Sequence, residues 1–443
     1  MPSLDLYRRL KNELDAVPVV DTHEHIYLPE EDYLRLGCDF ARLLMQYNID
    51  DLVSAGMPIT NFPEFQDTGG YIFRNGGAPL GLDEKWAHIA PYWEHARDTG
   101  YGHAVLHTIR KLCGVDDLNG STYRGISEKL AAQMKPGAYR RFLKNICGLR
   151  HILDDVDAQV KPGMFERLDR GLFMYAARFR RFTYVYLPGM LDELEAMFSR
   201  TIRSLDHLED TLDAQFERWG EEGRVALKIA DAYRRDLRFE DSPREEADAV
   251  FRRIFTLRRI ATFQETLSFC EARPLENYMT HQVLERAEAR GLPVIIHTGY
   301  QAFSNNDPDC SRVGLLTPLF MKYPRLRFHI LHSSYPWTGE AACLAKMYPN
   351  VTLDLTWTQI IVPEGAREAL AHMLDMVPSN KIHVFGGDHL VPESVWGALE
   401  VTRENVAHVL TEKVETGRIT ETRAVALAHK LFHENAEGIF GLD

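Results

Sequence analysis

Residues 18–25 read PVVDTHEH, an apolar β-branched run that ends in two histidines separated by one residue. In an extended strand, side chains two apart point to the same face. His23 and His25 therefore project together, in reach of one cation. Seven further runs have the same look: GLRHILDD (148–155), RFTYVYL (181–187), RVALKI (224–229), PVIIHTG (293–299), RFHILHS (327–333), NVTLDLTW (350–357) and KIHVFGGD (381–388). Most are followed by a segment with helical spacing of apolar residues, the pattern of parallel strands joined by crossover helices. Eight is the number that closes a (β/α)8 barrel of the TIM type, and an open doubly wound sheet is the competing architecture.

The interval between the first two runs is unusually long. Residues 29–145 hold several amphipathic segments, among them EDYLRLGCDFARLLMQYN and GHAVLHTIRKLCG, broken by Gly and Pro at 56–63, 69–81 and 114–120. The chain divides into a barrel of residues 1–28 and 146–443 and a helical cap of residues 29–145 inserted after strand 1. Strand-to-helix loops line the active face of such a barrel, so the insertion is expected to cover the site. Residues 191–222 and 243–273 read as ordinary amphipathic helix with solvated charges.

Bulk properties narrow the function. A chain of 443 residues, 45% hydrophobic and 26% charged, has the balance of a globular protein. The net charge of −13 argues against general binding to nucleic acid or an anionic membrane. The start MPSLDLYRRLKNEL lacks an apolar signal core, and the six cysteines form no C-x-x-C pair, which predicts a cytoplasmic protein. Homo-oligomers are common among such enzymes, although no interface patch is legible.

Catalytic groups of a barrel lie at the C-terminal ends of its strands. There the first run places His23 and His25, the fourth Lys228, the fifth His297, the sixth His332 and the eighth Asp388. Imidazoles with a carboxylate suit zinc, iron or manganese, zinc being the leading candidate. Strict alternation sets Asp388 on one face with Ile382 and Val384, and gives His329 and His332 opposite faces. On that basis His329 and His383 are read as core or helix-facing. His281, His372, His429 and His433 lie in helical stretches and are read as structural. Tyr233, Arg234, Tyr300 and Trp357 follow the strand ends closely and are candidates for substrate contact, Arg234 by pairing with a carboxylate.

The order H-x-H, Lys, His, His, Asp on successive strands resembles the amidohydrolase superfamily. HSSYPWTGEAACLAKMYPNVTLDLTW (332–357) and HENAEGIFGL (433–442) resemble its amidohydrolase-related branch, while the insertion and PYWEHARDTGYGHAVLHTIRKLCGV (91–115) are more loosely similar to uronate isomerases. The resemblance implies that His23, His25 and Asp388 bind one divalent metal and that His297 and His332 bind a second or position substrate. Lys228 matches the position that carries a bridging carbamate in binuclear members; the alternative is a plain amine paired with a carboxylate or with substrate. It further implies hydrolysis of an amide, lactone or ester in a small polar substrate, with Asp388 as the proton-transfer group and His297 and Lys228 assisting. Aldose–ketose isomerisation of a sugar acid is the runner-up, and decarboxylation a third reading.

Overall fold

The computed structural model describes residues 3–58, 64–65, 71–72, 74–75, 78–155, 165–187, 189–260, 267–302 and 306–442. Eight parallel strands follow one another in chain order around a single sheet: β1 (Val19–Glu24), β2 (Leu149–Asp155), β3 (Phe173–Arg178), β4 (Ala226–Ile229), β5 (Val294–Ile296), β6 (Phe328–Ile330), β7 (Val351–Asp354) and β8 (Ile382–His383). Three backbone hydrogen bonds join the last strand's extension to the first: Thr22 N to Phe385 O (3.2 Å), Asp388 N to His23 O (2.8 Å) and His25 N to His389 O (3.1 Å). The sheet thus closes on itself, and the fold is the expected TIM-type barrel.

Alternation sorts the strand residues into two cores. Leu227, Ile229, Val294, Ile296, Phe328, Ile330, Val351 and Leu353 turn outward into the main hydrophobic cluster with the surrounding helices. Val20, Leu153, Ala176, Ala226 and Ile295 turn inward, where Ala436, Ile439 and Phe440 of the terminal helix Asn435–Phe440 plug the N-terminal end of the barrel. Burying a side chain such as Phe440 is worth roughly 1.5–3 kcal/mol.

The third strand lies earlier than expected. RFTYVYL (181–187) begins in the short helix Arg180–Thr183 and continues as a loop; β3 is the preceding FMYAAR. Phe182 and Val185 are buried in the main cluster and Tyr184 donates to Asp231, so the segment is an aromatic-rich rim of the mouth. Composition alone does not separate a buried aromatic loop from a strand. Of the predicted breaks, residues 59–63, 69–70, 73 and 76–77 lie outside the described residues. The single helix read over 191–222 is two, Met190–Phe198 and Leu205–Glu221.

Between β1 and β2 run helices Glu30–Arg35, Phe40–Leu43, Tyr47–Ser54, Leu82–Ala96, Gly100–Cys113 and Tyr123–Gln133. Phe40, Leu52, Ile89, Trp93, Ile109, Ile126 and Leu130 form a hydrophobic cluster separate from the barrel's. Helix Gly100–Cys113 also packs tightly on helix Val395–Glu415: a Cβ at Gly397 would lie 2.0 Å from Ala104 O. Among the described residues, no helix is long and apolar enough to cross a membrane.

Candidate metal centre

β1 delivers its two histidines together, with ring centroids 4.7 Å apart. His25 Nε2 lies 2.9 Å and His23 Nε2 3.5 Å from Asp388 Oδ1. The three ligand atoms all fall within 4.8 Å of one another.

Asp388 arrives there by a route that alternation does not describe. β8 ends at His383, and Ile382 and Val384 face outward with the main cluster. A positive φ of 59° at Asp388 turns its carboxylate inward. Two glycines precede it because nothing larger fits: a Cβ at Gly387 would lie 1.9 Å from Glu24 Oε1, and one at Gly386 2.3 Å from Thr356 Oγ1. The Asp388 carbonyl accepts from Gln46 Nε2 (2.7 Å) and Tyr47 OH (2.5 Å), while Gln46 Oε1 accepts from Leu390 N (2.8 Å). Helix Tyr47–Ser54 of the insertion therefore fixes the loop that carries Asp388.

His297 and His332 form the second group. His297 Nε2 is 3.1 Å from Tyr300 O, and His332 Nδ1 is 2.9 Å from Thr356 O. A carbonyl oxygen only accepts, so those two nitrogens carry the protons. The remaining nitrogens, His297 Nδ1 and His332 Nε2, face each other at 2.9 Å. Burial holds both rings neutral: His297 is pushed well below the usual imidazole range, with His332 and Lys228 adding repulsion, and His332 is lowered to about 4. Two neutral imidazoles thus aim lone pairs at one another, an arrangement relieved by a shared cation. The donor set fits a divalent metal. His332 Nε2 is also 3.8 Å from Asp388 Oδ2, so the carboxylate stands between the two groups.

Lys228 is buried, with Nζ 3.0 Å from His23 Nε2. Burial lowers its pKa to about 8 against the pull of Asp155, and Arg178 lowers it further. Asp155 and Arg178, at the ends of β2 and β3, form a two-pronged pair: Arg178 Nε to Asp155 Oδ1 is 2.7 Å and Arg178 Nη2 to Asp155 Oδ2 2.6 Å. That pairing outweighs burial and keeps Asp155 below the ordinary carboxylate range. Neither residue is among the strand-end candidates named above. Asp155 ends β2, so its strand-end position marks it as a mouth residue. Arg178 was hidden by the misplaced third strand. Gln46 and Tyr47 had no strand position to announce them.

Aromatic residues make the walls. Trp357 is buried, with ring centroids 4.5 Å from Tyr47, 5.1 Å from His332 and 5.4 Å from Tyr300. The Tyr233 ring is 4.8 Å from that of His297, and its hydroxyl accepts from Ala302 N at 3.2 Å. Tyr300 is partly exposed at the rim. Arg234 is exposed, its guanidinium 5.5 Å over the Tyr184 ring rather than against the histidines. His389, next to Asp388, is buried and lowered to about 4 by desolvation.

His329 and His383 lie in the barrel interior. His329 bonds Thr352 Oγ1 (2.9 Å) and Asp354 Oδ2 (2.8 Å), and the His383 ring stands perpendicular to it at 4.6 Å. Strict alternation nevertheless fails for their neighbour His332. His329 and His332 both turn inward, because the backbone reverses through φ of 60° at His332, 42° at Ser333 and 54° at Ser334.

A closed β/α barrel with imidazole, amine and carboxylate groups at the C-terminal ends of its strands defines the class of metal-dependent barrel enzymes. The chain belongs to the amidohydrolase family, whose profile matches residues 162–442, more than half its length. It is 30% identical over 234 residues to protein fluG of Emericella nidulans, covering 49% of this chain but only 26% of that protein. Among solved structures it resembles glucuronate isomerase from Caulobacter crescentus (TM-score 0.78, 16% identity, 99% of this chain and 94% of the other). It also resembles a protein of Lactobacillus casei assigned as a metal-dependent hydrolase (TM-score 0.66, 16% identity, 98% and 97%). At that identity the two likenesses speak for the fold.

Proposed function

We propose that the protein is a metal-dependent hydrolase that cleaves an amide, lactone or ester bond in a small anionic substrate. The observation that carries this reading is the pair of facing lone pairs on His297 and His332, set beside His23, His25 and Asp388. It makes two donor groups with one carboxylate between them, where a single-metal isomerase needs one. A divalent cation held there, zinc by preference, polarises a substrate carbonyl and lowers the pKa of water to roughly 7.

The chain's own residues do the remainder. Asp388 takes the proton of the attacking water and returns it to the leaving group, a task that needs its backbone held in place by Gln46 and Tyr47. Lys228, beside His23, would join the two donor groups if its amine took up carbon dioxide and lost a proton to become a carbamate. Trp357, Tyr47, Tyr233 and Tyr300 exclude water from the reacting carbonyl. Residues 29–145 act as a cap on the barrel formed by 1–28 and 146–443. Arg180, in place of Arg234, meets the substrate's charge. Arg180 is half-buried, its pKa lowered by burial and by Arg178, Arg234 and Arg181, and among the described residues no carboxylate pairs with it. A carboxylate or sugar-acid group on the substrate supplies the missing countercharge.

The test is a panel of carboxylate-bearing amides, lactones and esters, run beside glucuronate and galacturonate, with protein of measured metal content. Hydrolysis that disappears on chelation and returns with Zn²⁺ is expected. Ketose formed from a uronate without hydrolysis would establish isomerisation instead, and undiminished hydrolysis by chelated protein would remove the metal from the mechanism.

A further inference from the structure

At the opposite end of the barrel from the candidate centre, the C-terminal helix carries another group of ligand-type side chains. Asn435 fixes this segment, its Nδ2 bonding Ser379 O (2.7 Å) and Ile382 O (2.8 Å) at the start of β8. Helix Glu421–His429 runs into a π-helical turn, Lys430–Glu434, a widened geometry that recurs at functional sites. His429 Nδ1 and His433 Nε2 are 3.1 Å apart, and His433 Nδ1 is 3.2 Å from Glu437 Oε2. A carboxylate accepts, so His433 carries its proton on Nδ1 and presents Nε2 as a lone pair toward His429. Glu437 is itself fixed by Arg150, whose Nη1 lies 3.0 Å from Glu437 Oε1. Atoms of His429, His433 and Glu434 lie within 4.8 Å of one another.

We propose that His429, His433 and Glu434 form a peripheral site for a divalent transition metal, with Glu437 orienting His433. Two imidazoles and one carboxylate suit Zn²⁺, Co²⁺ or Ni²⁺ and leave a position for water. A carboxylate behind a ligating imidazole is the usual way in which its tautomer and direction are fixed. Lys430 competes for Glu434 at 3.7 Å, but both side chains are more than a third exposed and such a pair holds weakly. The site also bears on any metal count. Two ions per chain arise either from two in the barrel or from one there and one on the terminal helix, and only a variant lacking the peripheral ligands separates the cases.

The experiment starts from holoprotein passed briefly through a weak chelator, then titrated with Zn²⁺ in a calorimeter. One equivalent of binding beyond the retained metal is expected for the wild type. It should be absent in His429→Gln and His433→Gln, whose retained metal should be unchanged. Glu437→Gln should weaken the added equivalent about 10- to 100-fold. Should His433→Gln fail to fold, His429→Gln and the exposed-site variant Glu434→Gln decide the matter. No added binding in the wild type, or the same isotherm in His429→Gln and Glu434→Gln, overturns the proposal.

Discussion

The barrel builds its mouth in two different ways. On β4 and β5 the chemistry follows the pleat: Lys228 shares a face with Ala226, and His297 with Ile295, so strict alternation carries both inward. On β6, β7 and β8 the key residues stand beyond the regular strand at positive φ, at His332 (60°), Trp357 (62°) and Asp388 (59°). Each such position costs of order 1–3 kcal/mol, sustained only where the surroundings over-determine it. The regular side supplies a rigid floor. The kinked side aims ligands at a point that a pleated strand would miss.

The largest effect should come from the kinked side. Asp388→Asn keeps the shape of the side chain and removes its capacity to hold a proton. Turnover is expected to fall about a hundred- to ten-thousand-fold, with KM changed little. Steady-state kinetics on the best substrate of the panel reads this directly; a tenfold loss or less would take Asp388 out of proton transfer. Next in size is the pair His297→Ala and His332→Ala. If one cation joins the facing lone pairs, each variant should lose the same ion, although one residue lies on a regular strand and the other on a kink. Elemental analysis of both in the His433→Gln background tests that equality, and an ion lost from one variant alone would break it.

What the sequence made legible follows the same division. Eight β-rich runs and intervening helical periodicity were enough for the barrel, because seven of the eight strands are short, buried and closed by recognisable turns. His23, His25, Lys228, His297, His332 and Asp388 could be named because they end those runs. Their orientation was harder. Period-two reasoning placed Asp388 with Ile382, and only its positive φ reverses that. Arg178 was lost with the third strand, where RFTYVYL has the composition of a strand but the place of a loop. Gln46 and Tyr47 were out of reach, since they act on Asp388 across 342 and 341 residues of chain.

Gly387→Ala is a smaller and more local test of the kink. Its new Cβ would meet Glu24 Oε1 at 1.9 Å, and Glu24 is buried with Oε2 already accepting from His389 N at 2.6 Å. Overpacking of this kind typically costs about 1–3 kcal/mol, which should appear as a lowered denaturation midpoint. Because the strain lies next to Asp388, metal content should fall as well. A destabilised variant with its full metal would show that the carboxylate's position does not depend on the glycine pair.

Ile295→Val makes the matching change on the regular side. Ile295 is buried in the inner cluster, paired in register with Lys228 on β4 and His329 on β6. Removing one methylene there should cost about 0.5–1.5 kcal/mol, through lost burial and a small cavity. The strand on either side keeps its hydrogen bonds, so His297, two residues on, should keep its direction. The expected result is a modest drop in the denaturation midpoint with metal content and turnover unchanged. Were Ile295→Val to release metal as readily as Gly387→Ala, the floor would be as finely poised as the kinks, and the two sides of the mouth would not differ in the way their backbones suggest.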